Sequence, residues 1–170
     1  VRAMAAGNNE VPLVAAIEDS EVEVFVVEAS SFRLGHAATV ELGPAAWLNF
    51  SPDHLDIHRD LAAYESAKSR IWEALEDPED AVANMADPVV KFHAPQGATG
   101  YGSDTSACRI EGDHIVYREG RVVSVNDLPR VLPHDLSNAQ AAVSLALRSG
   151  ANIDACATAL RRFTGHPHRM

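Results

Sequence analysis

A chain of 170 residues with 46% hydrophobic and 22% charged residues can build one full domain, or a piece of a larger protein, around a real core. Its formal net charge of −10 argues against a non-specific nucleic-acid binder, because affinity for phosphates needs a basic surface. No apolar run approaches the roughly 20 residues that span a bilayer and no signal-peptide pattern opens the chain, so neither a membrane partner nor export is expected. Cys108 and Cys156 lack metal-ligand spacing and read as two reduced, partly buried thiols, with a structural disulfide as the less supported alternative. The chain opens at Val1 and stops at "GHPHRM", so both ends are expected to be cuts in a longer sequence.

In chain order, "VPLVAAI" at residues 11–17 reads as a short helix. "VEVFVVEAS" at 22–30 is a continuous β-branched and aromatic run, the pattern of a buried strand in a parallel sheet. "AAWLNF" at 45–50 predicts a second buried strand, followed by the polar turn "SPDHLDIHRD". A helix is predicted over 60–75, with Leu61, Tyr64, Ile71 and Leu75 on one apolar face and Lys68 interrupting it. "DAVANMADPVVKFHA" alternates strand-like runs with turn residues. Residues 97–125 suggest short antiparallel strands with "EGDH" and "REGR" as hairpin tips. Beyond Pro133 come two helical segments, "SNAQAAVSLALRSG" stopping at Gly150 and "NIDACATALRRFTG" stopping at Gly165. The predicted class is α/β: a mostly parallel sheet with flanking helices and a small antiparallel β subdomain.

Candidate chemistry gathers where the two predicted strands finish. Glu28 ends the first, Asp53 and His54 follow the second, and Lys68 lies on the inner face of the next helix. A carboxylate, an imidazole and an amine at strand ends make a cation or phosphate site. Each also has a plainer reading. Glu28 could cap the next segment, and Lys68 could snorkel to water. His54 and His58 have the spacing of a helical zinc pair, but no Glu follows the first His as a metallopeptidase requires. Burial would push a lysine toward its neutral form, which can react with carbon dioxide to give an anionic carbamate. "GATGYGSD" matches no phosphate loop, and Ser30 and Ser31 lack the spacing of a His–Asp relay.

The segments "GNNEVPL", "VVEASSFRL", "LNFSPDHLDIH", "YESAKSRIW", "HDLSNAQAA" and "FTGHPHRM" resemble, in order and spacing, the Mur ligase family over essentially the whole chain. "FTGHPHR" resembles the branch that adds D-glutamate. The resemblance implies an ATP-dependent, amide-forming ligase of peptidoglycan synthesis, hence of cell-wall growth, cell shape and division. It would join D-glutamate to UDP-N-acetylmuramoyl-L-alanine through an acyl phosphate, as a cytoplasmic monomer. It further implies that Glu28, His54 and Lys68, the last as carbamate, are catalytic and hold Mg2+. Asn8 and Ser30 would contact the UDP-muramoyl substrate, and Asn138 and Arg169 the ATP.

Two positions depart from the family pattern: Arg33 stands where glutamine is common, and Asp135 where asparagine is. The family's phosphate loop, G-T-x-G-K-[ST], has no match in the chain. Residues 1–170 are therefore expected to be most of a central ATP-binding domain. The phosphate loop, the N-terminal UDP-binding domain and the C-terminal amino-acid-binding domain would lie outside, leaving the piece inactive alone. The alternatives are a non-catalytic scaffold, or a sibling Mur or folylpolyglutamate-type ligase.

Overall fold

The structure, a computed structural model, describes residues 1–8, 11–36, 43–53 and 55–165. Contacts divide the chain into two units: Val1–Ala38 with Asp53–Arg70, and Thr39–Pro52 with Ile71–Met170.

In the first unit, β1 (Ala3–Gly7) and β2 (Val24–Glu28) pair in parallel, from Ala3 opposite Val24 to Gly7 opposite Glu28. They are joined through α1 (Leu13–Ala16). β1 was not foreseen, because "AMAAG" has neither β-branching nor alternation. β2 forms as expected but is not buried. Val24, Val26 and Val27 are exposed, since among the described residues β2 pairs with β1 alone and α1 packs on β1. Next come α2 (Ser31–His36) and α3 (Leu61–Ser69), which pack together. Asp60 starts α3 by accepting a hydrogen bond from the Ala63 amide at 2.8 Å.

The helix predicted over 60–75 stops at Ser69 and tightens into a 3-10 turn, Arg70–Trp72. Trp72 is the cause: its indole donates to the Ala45 carbonyl at 3.0 Å and packs 5.6 Å from the Trp47 ring. Ile71 and Leu75 accordingly join the core of the second unit rather than the face of α3.

The second unit holds one six-stranded sheet: β3 (Ala45–Trp47), β4 (Ala81–Asn84), β5 (Thr99–Tyr101), β6 (Cys108–Glu111), β7 (His114–Tyr117) and β8 (Gly120–Ser124), side by side in chain order. β3 to β6 run parallel, whereas β6, β7 and β8 form the two expected hairpins. The antiparallel hairpins continue the parallel sheet, and β5, inside the stretch read as antiparallel, is a parallel strand. Tyr101 pairs directly with Cys108, which carries the hairpins on from the parallel sheet.

"PVVKFH" looks strand-like but forms α4 (Pro88–His93). Local capping overrides the β-branched residues: the Asp87 carboxylate accepts from the Val89 and Val90 amides at 3.0 Å each, and Pro88 occupies the first turn. α5 (Pro133–Arg148) begins four residues before the expected Ser137 and crosses β4, β5 and β6. α6 (Ile153–Arg162), capped by Asn152, packs on β8 and α5.

β4 is buried on both faces, so its side chains alternate between two cores. Val82 joins Tyr101, Cys108, Ile115 and the α5–α6 side, while Ala81 and Ala83 join Trp47, Trp72 and Val90. Both cysteines are free and buried in the first of these cores, as the reading of reduced thiols requires. At the far end of α5, Arg148 is gripped by Asp77 at 2.6 Å, Glu79 at 2.7 Å and Asp80 at 2.8 Å, tying the helix to the turn that enters β4.

Candidate functional site

The carboxyl ends of β1 and β2 lie side by side because of one residue. Gly7 adopts φ +108°, and a Cβ there would sit 2.4 Å from the Glu28 carbonyl oxygen. The close approach lets the Asn8 amide donate to that carbonyl at 2.9 Å. Asn8 and Glu28, chosen from the sequence, thus stand together, and both side chains reach solvent. Ser30 is half-buried, and its hydroxyl accepts from the Arg33 amide in the first turn of α2 at 3.4 Å. Arg33 itself and Asp53 are exposed.

Lys68 is half-buried on α3. Its Nζ donates to Tyr64 Oη at 3.2 Å and lies 5.1 Å from the centre of that ring. Tyr64, buried at 4% exposure, is one helical turn back on the same face. The Tyr64 ring packs in turn on His58, with centroids 5.1 Å apart, and His58 Nε2 lies 2.8 Å from the hydroxyl of buried Ser31. A continuous series of contacts therefore runs from the first residue of α2, three residues after Glu28, to the amine of Lys68.

His58 is not half of a helical metal pair, because residues 55–60 form turns and its Nε2 is taken up by Ser31. No local pattern signals this bond, whose partners are 27 residues apart. The His54 and Arg169 assignments fall outside the described residues.

In the second unit a cleft of about 380 Å3 opens at the carboxyl ends of β4 and β5, beside the first turns of α5. Its walls are mainly apolar, from Ala86, Ile110, Val131, Pro133 and Leu136, with Asn84, Ser137 and Gln140 as the polar groups. Asn84 is fixed by donating to the Leu48 carbonyl at 2.8 Å and accepting from the Ala86 amide at 3.0 Å. Buried Gln140 donates to the Leu136 carbonyl at 3.2 Å and accepts from the Gly102 amide at 3.3 Å. Gly102, at φ +85°, leaves room for Asn84, whose Oδ1 would sit 2.8 Å from a Cβ there.

Asn138 is exposed on α5 and is not part of this lining; its neighbours Ser137 and Gln140 are. Asp135, the second departure from the family pattern, has a structural explanation. It accepts from Arg130 Nε at 2.9 Å and from the Leu132 amide at 3.3 Å. Burial works to raise its carboxyl, but Arg130 outweighs this and holds it below the usual carboxylate range.

The family model of the Mur ligase middle domain matches residues 8–146. The chain belongs to the Mur ligase family. It is similar to the UDP-N-acetylmuramoylalanine–D-glutamate ligase of Frankia casuarinae, with 36% identity over 99% of this chain and 38% of that one. The ligases of the same name from Methylococcus capsulatus and Vibrio parahaemolyticus are 36% and 32% identical, over 100% and 96% of this chain. The chain spans less than two fifths of the length of these curated relatives.

Among solved structures, it resembles a UDP-N-acetylmuramoyl-L-alanyl-D-glutamate–2,6-diaminopimelate ligase, with a TM-score of 0.76 at 20% identity over 100% of this chain and 48% of that one. It also resembles a UDP-N-acetylmuramate:L-alanyl-gamma-D-glutamyl-meso-diaminopimelate ligase from Neisseria meningitides. That match has a TM-score of 0.67 at 18% identity, over 94% of this chain and 53% of that one. The mixed α/β fold expected from the sequence is thus that of Mur ligases, a family that uses ATP.

The donor set bears on magnesium, which prefers oxygen ligands. The exposed Glu28 carboxylate is suitable. Lys68 as an amine bonded to Tyr64 is not, and would supply oxygens only as a carbamate. Among the described residues, no group of three or more His, Cys, Asp or Glu side chains is arranged to hold a metal ion. No described helix is long and apolar enough to cross a membrane.

Proposed function

We propose that the protein containing this chain is the ATP-dependent, cytoplasmic ligase that adds D-glutamate to UDP-N-acetylmuramoyl-L-alanine. The carrying observation is that relatives named for this reaction match at 32–36% identity along nearly all of the chain. ATP supplies the phosphoryl group that activates the substrate carboxylate, and divalent cations neutralise the charge that gathers on it.

The chain's residues divide the work. Glu28 presents its carboxylate at the end of β2 as a magnesium ligand, with His54 as the second protein donor. Lys68, on the half-buried face of α3, provides carbamate oxygens for the same cations. Asn8 and Ser30, flanking Glu28 at the strand ends, orient the muramoyl substrate. The cleft of the second unit, with apolar walls and the fixed amides of Asn84 and Gln140, is suited to the adenine, with Asn138 as an adenine contact and Arg169 as a further ATP contact.

The test uses the full-length protein. Phosphate release should require both UDP-N-acetylmuramoyl-L-alanine and D-glutamate, and the isolated 170-residue chain should show none. Lys68→Ala should nearly abolish turnover without rescue by bicarbonate, and Glu28→Gln should strongly raise the magnesium requirement. Turnover with diaminopimelate but not D-glutamate would reassign the protein to a sibling activity. Full activity of Lys68→Ala would remove that residue from the mechanism.

A further inference from the structure

We propose that His58 is a positioning residue for Lys68, acting through the Tyr64 ring and itself held by Ser31. This rests on the reading above in which Lys68 works at the reacting centre. The Lys68 amine finds Tyr64 Oη at 3.2 Å, so the angle of the Tyr64 ring helps decide where that amine points. Rotation about the Cα–Cβ bond of a tyrosine swings its hydroxyl sideways unless something packs on the ring face. His58 does so, with centroids 5.1 Å apart and planes 39° from parallel, within the range in which aromatic pairs attract.

His58 has no helix to hold it, because residues 55–60 are turns. Its anchor is the 2.8 Å bond between Nε2 and the hydroxyl of Ser31, which opens α2 and is 8% exposed. Ser31 lies three residues past Glu28, so the series couples the segment leaving β2 to the helix that carries Lys68. Placement errors near 1 Å cost roughly 100-fold in rate, so a residue that fixes a ring can matter without touching substrate.

The experiment measures kcat and KM for each substrate in the full-length ligase, alongside its melting temperature. His58→Ala should lower kcat roughly 10- to 100-fold with KM for ATP within about twofold of the parent. His58→Gln, whose amide can reach Ser31, should recover part of the loss. His58→Phe keeps a ring against Tyr64 but breaks the bond to Ser31, as Ser31→Ala does. The two single variants should therefore show similar losses, and the double variant no more than either.

A kcat for His58→Ala within twofold of the parent would overturn the proposal. So would additive losses in the double variant, or a loss of rate that follows melting temperature and is not eased by Gln. Lys68→Ala serves as the separate control. If it is active, the reading of Lys68 fails and the positioning role with it. If it is inactive while the His58 variants behave as parent, only the positioning role fails.

Discussion

Replacing Gly7 by alanine should disturb the carboxyl ends of β1 and β2. Gly7 stands at φ +108°, where an L-residue carries strain of about 1–2 kcal/mol. The added Cβ would meet the Glu28 carbonyl oxygen at 2.4 Å and the Glu28 amide nitrogen at 3.0 Å, and both are backbone atoms of a paired strand. Real Cβ contacts stay beyond 3.0 Å, so β1 and β2 must part there by at least about 0.6 Å. That movement pulls on the Asn8–Glu28 bond of 2.9 Å, whose loss costs about 1 kcal/mol. Alanine recovers about 0.4–1 kcal/mol by restricting the unfolded chain, leaving a net cost of about 1–3 kcal/mol. Urea unfolding followed by circular dichroism should show a lower midpoint at unchanged slope. Gly35→Ala in α2, where the new methyl would meet only Ala67 Cβ at 3.7 Å, serves as the control and should stabilise by up to about 1 kcal/mol. Ligase turnover of the full-length protein should fall with Gly7→Ala and not with Gly35→Ala. A Gly7→Ala variant as stable and active as the control would refute the account of how Asn8 and Glu28 are placed.

Asp87→Ala removes the start of α4 and the acceptor of the Phe50 amide at 2.8 Å, and should cost about 2–3 kcal/mol in urea unfolding, with Asp87→Asn milder. Below pH 4 the stability should fall with a slope that Arg148→Ala flattens. Folding lowers the Asp77 carboxyl, first through the Glu79 amide and then through Arg148, so this stabilisation is complete above the ordinary aspartate value near pH 4 and is lost as pH falls through the lower folded one. Because the Glu79 amide remains, the slope should be reduced and not erased; an unchanged slope would refute the role of Arg148. Burial pushes the Cys108 thiol up to about 12 and raises that of Cys156, so neither should react with a disulfide reagent at pH 8 until the protein is unfolded. Rapid labelling of the native protein would contradict the packing of both in the α5–α6 core.

The elements legible in the sequence are those whose signal is local. "EGDH" and "REGR" were readable as hairpin tips because turn residues interrupt short strand-like runs, and Gly150 marked the end of α5, whereas α6 stops at Arg162, three residues short of Gly165. The misreadings arise where a neighbour outweighs the pattern. "AMAAG" becomes a strand only by pairing with β2, and "PVVKFH" becomes a helix because Asp87 captures two amides ahead of its β-branched residues. β2 carries the composition of a strand covered on both faces, yet three of its valines remain open. That composition reports how the strand is adapted to be packed, and local pattern alone does not supply the neighbours that would do it.

Position 68 separates what the sequence can reveal of a site from what it cannot. Lysine in an apolar stripe is visible because helix period is visible, but Ile71 and Leu75, which completed the stripe on paper, belong to another core once Trp72 turns the chain. What remains beside Lys68 is Tyr64, one turn back, and that pairing is readable from the i, i+4 spacing alone. The next step is different in kind. Ser31 and His58 meet across 27 residues through a turn with no period of its own, so no local rule predicts their 2.8 Å bond. A helix can advertise which residue is out of place, whereas the contacts that give the residue a fixed direction come from wherever the fold brings them. For a group whose chemistry depends on where its nitrogen points, the second kind of contact carries more weight, and only the folded chain supplies it.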